Sequence, residues 1–154
     1  MTSISYPRSL SRSGFSLVEA LLTIAIMGIL TGLVVSAVSN ASRDASRAIA
    51  KQQASAVQNA VNSWVASSTN TRDPSTGQLL SVESARSTYN AASTSSARFN
   101  LIKTYLDDGT ADHFLTNTAN TGKLQSEALI NAGQYLTLDT WAASGYPKVS
   151  IVNE

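Results

Sequence analysis

Residues 15–38 read FSLVEALLTIAIMGILTGLVVSAV, and this stretch decides the class of protein. Glu19 is the one ionisable residue among these 24. A helix of that length would extend roughly 36 Å at about 1.5 Å per residue, whereas the hydrocarbon core of a bilayer is about 30 Å thick. A chain of only 154 residues has too little mass to surround such a helix with its own core. The stretch therefore predicts a membrane-spanning helix rather than the buried helix of a soluble domain.

The composition of the whole chain narrows the possible functions. Eleven Lys and Arg stand against ten Asp and Glu, so no concentrated positive charge favours a nucleic acid as partner. The chain has no Cys and a single His, which excludes thiolate zinc sites and cysteine nucleophiles and leaves little room for a His-based triad. No segment resembles the G-x-S-x-G motif of serine hydrolases. We therefore expect a protein that is not an enzyme and needs no cofactor.

The residues before the apolar stretch form a short basic leader. Residues 1–14 read MTSISYPRSLSRSG and contain two arginines and no acid. A secretory signal peptide has an apolar region of about 7–15 residues followed by a small-residue cleavage site. Here the apolar region is longer and its end is only loosely of that type, so removal as an ordinary signal peptide is the weaker interpretation.

Residues 14–19 read GFSLVE, between this leader and the apolar run. The hexapeptide resembles the class III signal of type IV pilins and type II secretion pseudopilins, G|F-[ST]-L-x-E. The resemblance implies that a prepilin peptidase cuts between Gly14 and Phe15 on the cytoplasmic side and methylates the new amino group of Phe15. Many relatives carry a helix-kinking proline where this chain has Ser36, so the usual bend is not expected from the sequence.

Glu19 is the first candidate for an assembly residue. A carboxylate inside the apolar core costs about 2.5–3.5 kcal/mol on insertion scales, so it normally has a partner. The resemblance implies that this partner is the amino group of Phe15 on a neighbouring subunit. The alternative is a carboxylate near the end of the helix that reaches the membrane interface at little cost.

A row of small residues is the second candidate assembly feature. Gly28, Gly32 and Ser36 are spaced four apart, which would let two helix backbones approach closely in lipid. The alternative is the ordinary glycine content of membrane helices.

The helical pattern continues beyond the apolar stretch. Residues 40–68 contain no Pro or Gly, and apolar residues recur about every 3.6 positions. This predicts one long helix, membrane-spanning over 15–38 and amphipathic over 39–68, ending where turn formers cluster in residues 69–77. Residues 69–154 would form a small globular head with a thin core. We expect the head to pack on the helix face that carries Val57, Val61, Trp64 and Val65.

Within the head, the patterns predict short elements. Two of the expected helices lie around Val82–Tyr89 and over Leu124–Ile130. A third helix, between these two, carries Phe99, Ile102 and Leu106 on one face. It is expected to end at the 107–109 turn, with Gly109 as a left-handed cap. The expected strands are Tyr135–Trp141 and Lys148–Val152. The predicted fold is thus α+β and pilin-like, with a long N-terminal helix, short helices and a C-terminal β-hairpin or small antiparallel sheet.

Three aspartates near the middle of the head are weak candidates for a calcium site. Asp107, Asp108 and Asp112 lie close in sequence, beside His113. Their spacing matches no EF-hand loop, and a turn at a helix end explains the same residues, so the expectation is that no metal binds.

Together these features predict a structural subunit of a pilus or pseudopilus, slightly favouring type II protein secretion. Its expected partners are the prepilin peptidase, identical or related pilin-like subunits, an inner-membrane assembly platform and the lipid bilayer. The leader would be cytoplasmic, the helix in the inner membrane and the head periplasmic or on the assembled fibre. The alternatives are a minor type IV pilin and a single-span anchored binding or adhesion protein that never polymerises.

Overall fold

The computed structural model of the chain describes residues 15–154. The predicted leader 1–14, with its cleavage residue Gly14, lies outside the described residues. By its internal contacts the chain divides into two compact units, one that ends at Asn40 and one that comprises Ala41–Glu154. The helices are α1 (Leu17–Thr69), α2 (Val82–Ala91), α3 (Ser95–Ile102), α4 (Asp108–Asn117) and α5 (Glu127–Ala132), and the strands are β1 (Gln134–Leu138) and β2 (Val149–Asn153).

The described part of the first unit, residues 15–40, is helical from Leu17 onward and has no core of its own. Ser16 begins the helix by accepting a hydrogen bond from the Glu19 N–H at 3.2 Å, as an N-cap residue does. Every side chain in this stretch is exposed. In the described residues, α1 is the one helix long and apolar enough to cross a membrane, with a mean hydropathy of 2.4 over its most apolar window. An exposed apolar surface of this extent is typical of a membrane contact or a protein contact.

The second unit has a continuous hydrophobic core, and one face of α1 forms one side of this core. Val57 and Val61 are fully buried, and Trp64 and Val65 nearly so, which confirms the predicted packing face. Trp64 packs against Tyr89 of α2 with ring centroids 5.7 Å apart. Phe99 of α3 contacts Phe114 of α4 at 5.2 Å between centroids. The remaining buried residues include Ala50, Ala60, Ala85, Ile102, Leu124, Leu129, Leu136, Leu138 and Trp141.

The predicted C-terminal sheet is present as an antiparallel pair. Gln134 pairs with Asn153 and Leu138 with Val149. Gly133 closes α5 in the left-handed conformation with φ +66° and passes the chain directly into β1. On the other side of β1, the main chain of Leu124 exchanges two hydrogen bonds with Leu136, at 2.9 and 2.8 Å. The buried side chains of β1, Leu136 and Leu138, belong to the core.

The predicted end of the third helix at 107–109 is wrong. The α-helix ends at Ile102, and a single 3₁₀ turn follows over Lys103–Tyr105. Asp107 instead begins α4, because its carboxylate accepts a hydrogen bond from the Thr110 N–H at 2.9 Å. Gly109 lies inside the first turn of α4 and is not a left-handed cap. The aspartates favour this start because negative charge is stabilising at a helix N-terminus.

Two other predicted boundaries are shifted. The helix predicted from Leu124 begins at Glu127, because Leu124 is paired with β1 and Ser126 is the N-cap. The strand predicted to reach Trp141 ends at Leu138. The main chain of Trp141 is hydrogen-bonded in both directions by the side-chain amide of Asn90, at 2.8 and 3.0 Å, and leaves the sheet for α2.

Candidate processing and assembly site

The residues that precede and begin α1 form the candidate site. Phe15 is 77% exposed and lies two residues before the helix. Glu19 lies in the first helical turn, where the helix dipole favours a carboxylate. Within the described residues Glu19 takes part in no ion pair. Thr23 donates its hydroxyl hydrogen to the Glu19 carbonyl at 2.7 Å, so this polar side chain is satisfied inside its own helix.

Glu19 is thus the one ionisable side chain of residues 15–38, and no cation of the described residues pairs with its carboxylate. A charge that enters hydrocarbon without a partner costs several kcal/mol. The arrangement suits recognition of a cation at the same depth in the membrane.

The row of small residues predicted to allow close helix packing has free space beside its glycines in the single chain. A Cβ placed on Gly28 or Gly32 would meet nothing within 4 Å. Both glycines remain fully helical, although glycine weakens a helix by about 1 kcal/mol relative to alanine. Thr31 donates its hydroxyl hydrogen to the Met27 carbonyl at 2.7 Å, so it too is satisfied within the helix. The small residues thus leave a shallow strip free of large side chains.

The aspartates considered for calcium have a structural explanation. Asp107 caps α4, and hydrogen bonds from Thr110 hold the pKa of the Asp107 carboxyl below its ordinary value. Asp108 lies in the first turn of α4, and Asp112 one turn later is exposed. Among residues 15–154 no group of three His, Asp or Glu side chains is arranged to hold a metal ion.

Sequence reasoning missed the polar residues that attach the head to α1. The side-chain amide of Gln58 donates to the Pro147 carbonyl at 3.0 Å, and its oxygen accepts from the Val149 N–H at 2.9 Å. Gln53 accepts a hydrogen bond from Ser126 at 2.6 Å. The sequence did place Gln58 beside the apolar stripe of α1, because it follows Val57 directly and lies four residues after Ala54. That position was the one available sign of a contact with the head.

The buried Arg98 was missed for a similar reason. It is 6% exposed, and one guanidinium nitrogen donates to the Leu138 carbonyl at 2.7 Å. Its guanidinium carbon also lies 5.6 Å from the centre of the Tyr89 ring. A lone arginine in a Ser/Ala-rich stretch carries no sequence signal for burial, because its partner is a main-chain carbonyl 40 residues away.

Comparison with known proteins agrees with the leader motif. The family model for the prokaryotic N-terminal methylation motif matches residues 10–35. These residues include the GFSLVE hexapeptide and most of the apolar stretch. No curated protein and no solved structure matches the chain.

The methylation motif is characteristic of type IV pilins and pseudopilins. The chain is thus similar over this segment to membrane-anchored pilin-like subunits, and the motif implies processing by a prepilin peptidase and assembly with other pilin subunits. It points to a structural subunit rather than an enzyme.

Proposed function

We propose that this chain is a pseudopilin of a type II secretion system, cut after Gly14, methylated on Phe15 and polymerised through its N-terminal helix. The observation that carries the proposal is the methylation motif at residues 10–35, joined to a helix whose side chains over residues 17–40 are all exposed. Residues 15–38 are stored in the inner membrane, with the leader cytoplasmic and the head of residues 69–154 periplasmic. Residues 39–68 connect them and support the head.

Apolar packing provides the cohesion of the proposed filament. The large side chains of residues 15–38 are 49–77% exposed in the single chain. In the bilayer they face lipid, and in the filament they face equivalent helices of identical or related subunits. Because lipid is as apolar as these helices, association depends on close packing, which the open strip at Gly28 and Gly32 permits.

The pairing of Glu19 with the amino group of Phe15 in the preceding or following subunit provides the register. Glu19 is the one ionisable group of the segment, so a single contact determines the axial position of an entering helix. Neutralising both charges also lowers the cost of leaving the bilayer interface for the filament interior. The inner-membrane assembly platform would supply the work of extraction.

Processing is tested first, by intact-mass analysis of the protein from cells that contain a prepilin peptidase. We expect a mature chain that begins at Phe15 and carries one added methyl group. Gly14→Val should block cleavage, because a side chain at this position obstructs a protease that accepts a bare backbone. Retention of Met1, or a start near Asn40, would contradict the assignment.

Assembly is tested separately with Glu19→Ala and Glu19→Gln. Both variants should be inserted and cleaved normally, while incorporation of this subunit into crosslinked polymer falls at least about tenfold, as loss of a buried ion pair predicts. Glu19→Gln keeps the volume and hydrogen-bonding capacity but cannot neutralise an ammonium group. Thr31→Val is the matched control, since it removes a polar atom from the same helix without changing charge.

Wild-type incorporation of both Glu19 variants would show that apolar packing alone sets the register. A chain that is cleaved and methylated but never crosslinks to another subunit would be a non-polymerising anchored protein. Genes for a secretion ATPase and an outer-membrane secretin beside this gene would support the secretion role. A retraction ATPase in their place would favour a minor type IV pilin.

A further inference from the structure

A polar cleft of about 510 Å³ lies in the second unit beside α1. Arg43 and Arg47, one helical turn apart, line one side of it. Ile130 and Asn131 from the end of α5 line the other side, and Glu154 lies at its edge. The processing and assembly residues described above take no part in this cleft.

Positive charge in the cleft is only partly neutralised. Arg47 lies 3.4 Å from the Asp44 carboxylate, but both side chains are more than half exposed, so the pair is weak. Arg43 forms no ion pair with any residue of the described range 15–154. The Glu154 carboxylate already accepts a hydrogen bond from Lys123 at 3.0 Å, which offsets its charge. The cleft therefore retains two planar guanidinium groups, whose N–H donors match the oxygen atoms of a phosphate.

An exposed apolar side chain accompanies these arginines. Ile130 is 46% exposed although it belongs to a helix that buries Leu129 completely. Arginines beside an exposed isoleucine suit a surface at a membrane interface, where the apolar group enters the acyl boundary and the cations stay among the headgroups.

The spacing along the sequence brings this cleft near the bilayer. Arg43 follows Val38, the last residue of the apolar stretch, by only five residues. Along a helix with a rise of about 1.5 Å per residue, Arg43 lies roughly 8 Å and Arg47 roughly 14 Å beyond Val38. Helical side chains lean toward the helix N-terminus, so those of Arg43 and Arg47 extend back toward the headgroup layer.

We propose that this cleft binds the phosphate of an anionic phospholipid in the leaflet from which the head emerges. Arg43 and Arg47 donate to the phosphate oxygens, and Ile130 enters the outer acyl region. The inference rests on the proposed membrane storage of the subunit and adds a second, polar attachment to it. Extraction of the subunit into a filament must release this lipid contact as well as the apolar helix.

The test uses the full chain in phosphatidylcholine vesicles with or without phosphatidylglycerol. Flotation first measures insertion, and hydrogen exchange then measures protection of the main-chain amides of residues 127–133. We expect flotation in both lipids and slower exchange only with phosphatidylglycerol. In neutral detergent, the affinity for a short-chain phosphatidylglycerol should fall about fivefold for each arginine removed, in line with the attraction of one cation to an anionic surface.

The variant that tests the cleft is Arg43→Gln/Arg47→Gln, which should lose the lipid-dependent protection while floating normally. Lys103→Gln/Lys148→Gln is the matched control, because it removes the same charge from exposed positions outside the cleft. Arg43→Lys/Arg47→Lys should retain part of the effect, since charge remains but bidentate donation is lost.

The remaining outcomes separate this inference from the proposed function. Normal flotation with equal exchange in the two lipids, or full protection in the Arg43→Gln/Arg47→Gln variant, would overturn the lipid site and leave membrane storage intact. Equal protection by inorganic phosphate in phosphatidylcholine vesicles would assign the cleft to free phosphate and overturn the lipid assignment. Failure to float in either lipid would contradict membrane storage and the lipid site together.

Discussion

The two units of this protein contain similar apolar residues, but these residues are exposed in one unit and buried in the other. Residues 15–40 carry large apolar side chains that are all exposed, including Leu22 at 60% and Ile24 at 67%. The unit Ala41–Glu154 has a core in which large apolar side chains, such as Leu136, Phe114 and Tyr89, are completely buried. The second unit therefore shields its own apolar side chains from water. The apolar side chains of the first unit are shielded only by lipid or by other subunits. The hydrophobicity of a segment therefore does not by itself predict whether its side chains are buried in the core of the chain or exposed for contact with another molecule.

The largest expected effect comes from cutting α1 at different places. A fragment starting at Arg43 should be water-soluble and unfold cooperatively, because it keeps the buried face that includes Val57 and Trp64. A fragment starting at Thr69 removes that face and should be poorly ordered, since the remaining short helices and two strands make too thin a core. Thermal melting followed by circular dichroism measures both. Equal cooperativity of the two fragments would show that the head folds without α1.

The same substitution should have opposite consequences in the two units. Leu136→Ala removes a fully buried side chain from β1 and should lower the free energy of unfolding of the head by about 3 kcal/mol. Leu22→Ala acts on a side chain exposed in the first unit and should leave that value unchanged within about 0.5 kcal/mol. Urea denaturation of the full chain in detergent, followed by tryptophan fluorescence, compares them. A matching loss in Leu22→Ala would mean that the first unit contributes to the stability of the head.

A smaller effect is expected from the polar contact between α5 and α1. Ser126 caps α5 by accepting from the Leu129 N–H at 3.3 Å and donates to Gln53 at 2.6 Å. Ser126→Ala removes the cap and leaves the Gln53 oxygen without its donor, so it should cost about 2 kcal/mol. Ser81→Ala is the control, because this exposed cap accepts only from the Ser84 N–H and should cost no more than about 1 kcal/mol. Equal losses in urea denaturation would argue against the contact with α1.

The smallest effect at neutral pH is expected at Tyr89, a fully buried aromatic residue of the core. Its hydroxyl is buried and has no hydrogen-bond partner among the described residues, so Tyr89→Phe should leave stability unchanged or slightly raised at pH 7. Burial raises the pKa of Tyr89 to about 12 from the ordinary 10.0. Because the folded state holds this proton more tightly than the unfolded state, stability from this residue is complete below pH 10 and is lost as the pH rises toward 12.

Tyr89→Phe should therefore remove this part of the alkaline loss of stability. Melting temperatures of both proteins measured from pH 8 to pH 12 would reveal it. Tyr105→Phe is the control, because Tyr105 is 42% exposed. Parallel pH profiles for wild type and Tyr89→Phe would indicate that Tyr89 does not govern the alkaline transition.

Much of the architecture could be predicted from local patterns. The apolar run, the Ala-rich stripe with a period near 3.6 and the turn formers after Thr69 predicted α1 almost to its last residue. The predicted helix at Val82–Tyr89 and the antiparallel C-terminal strands are also present, with small shifts at their ends. These features are readable because each depends on residues close together in the sequence.

The sequence by itself also determined the candidate processing site, since the GFSLVE hexapeptide and its basic leader are contiguous. The tertiary structure alone decided that Leu124 joins β1 and that Gln58 holds β2 against α1. It also brought Arg43 and Arg47 to the end of α5, more than 80 residues along the chain. The physical reason is that these outcomes depend on burial and on hydrogen bonds between distant segments, whose partners no local pattern specifies.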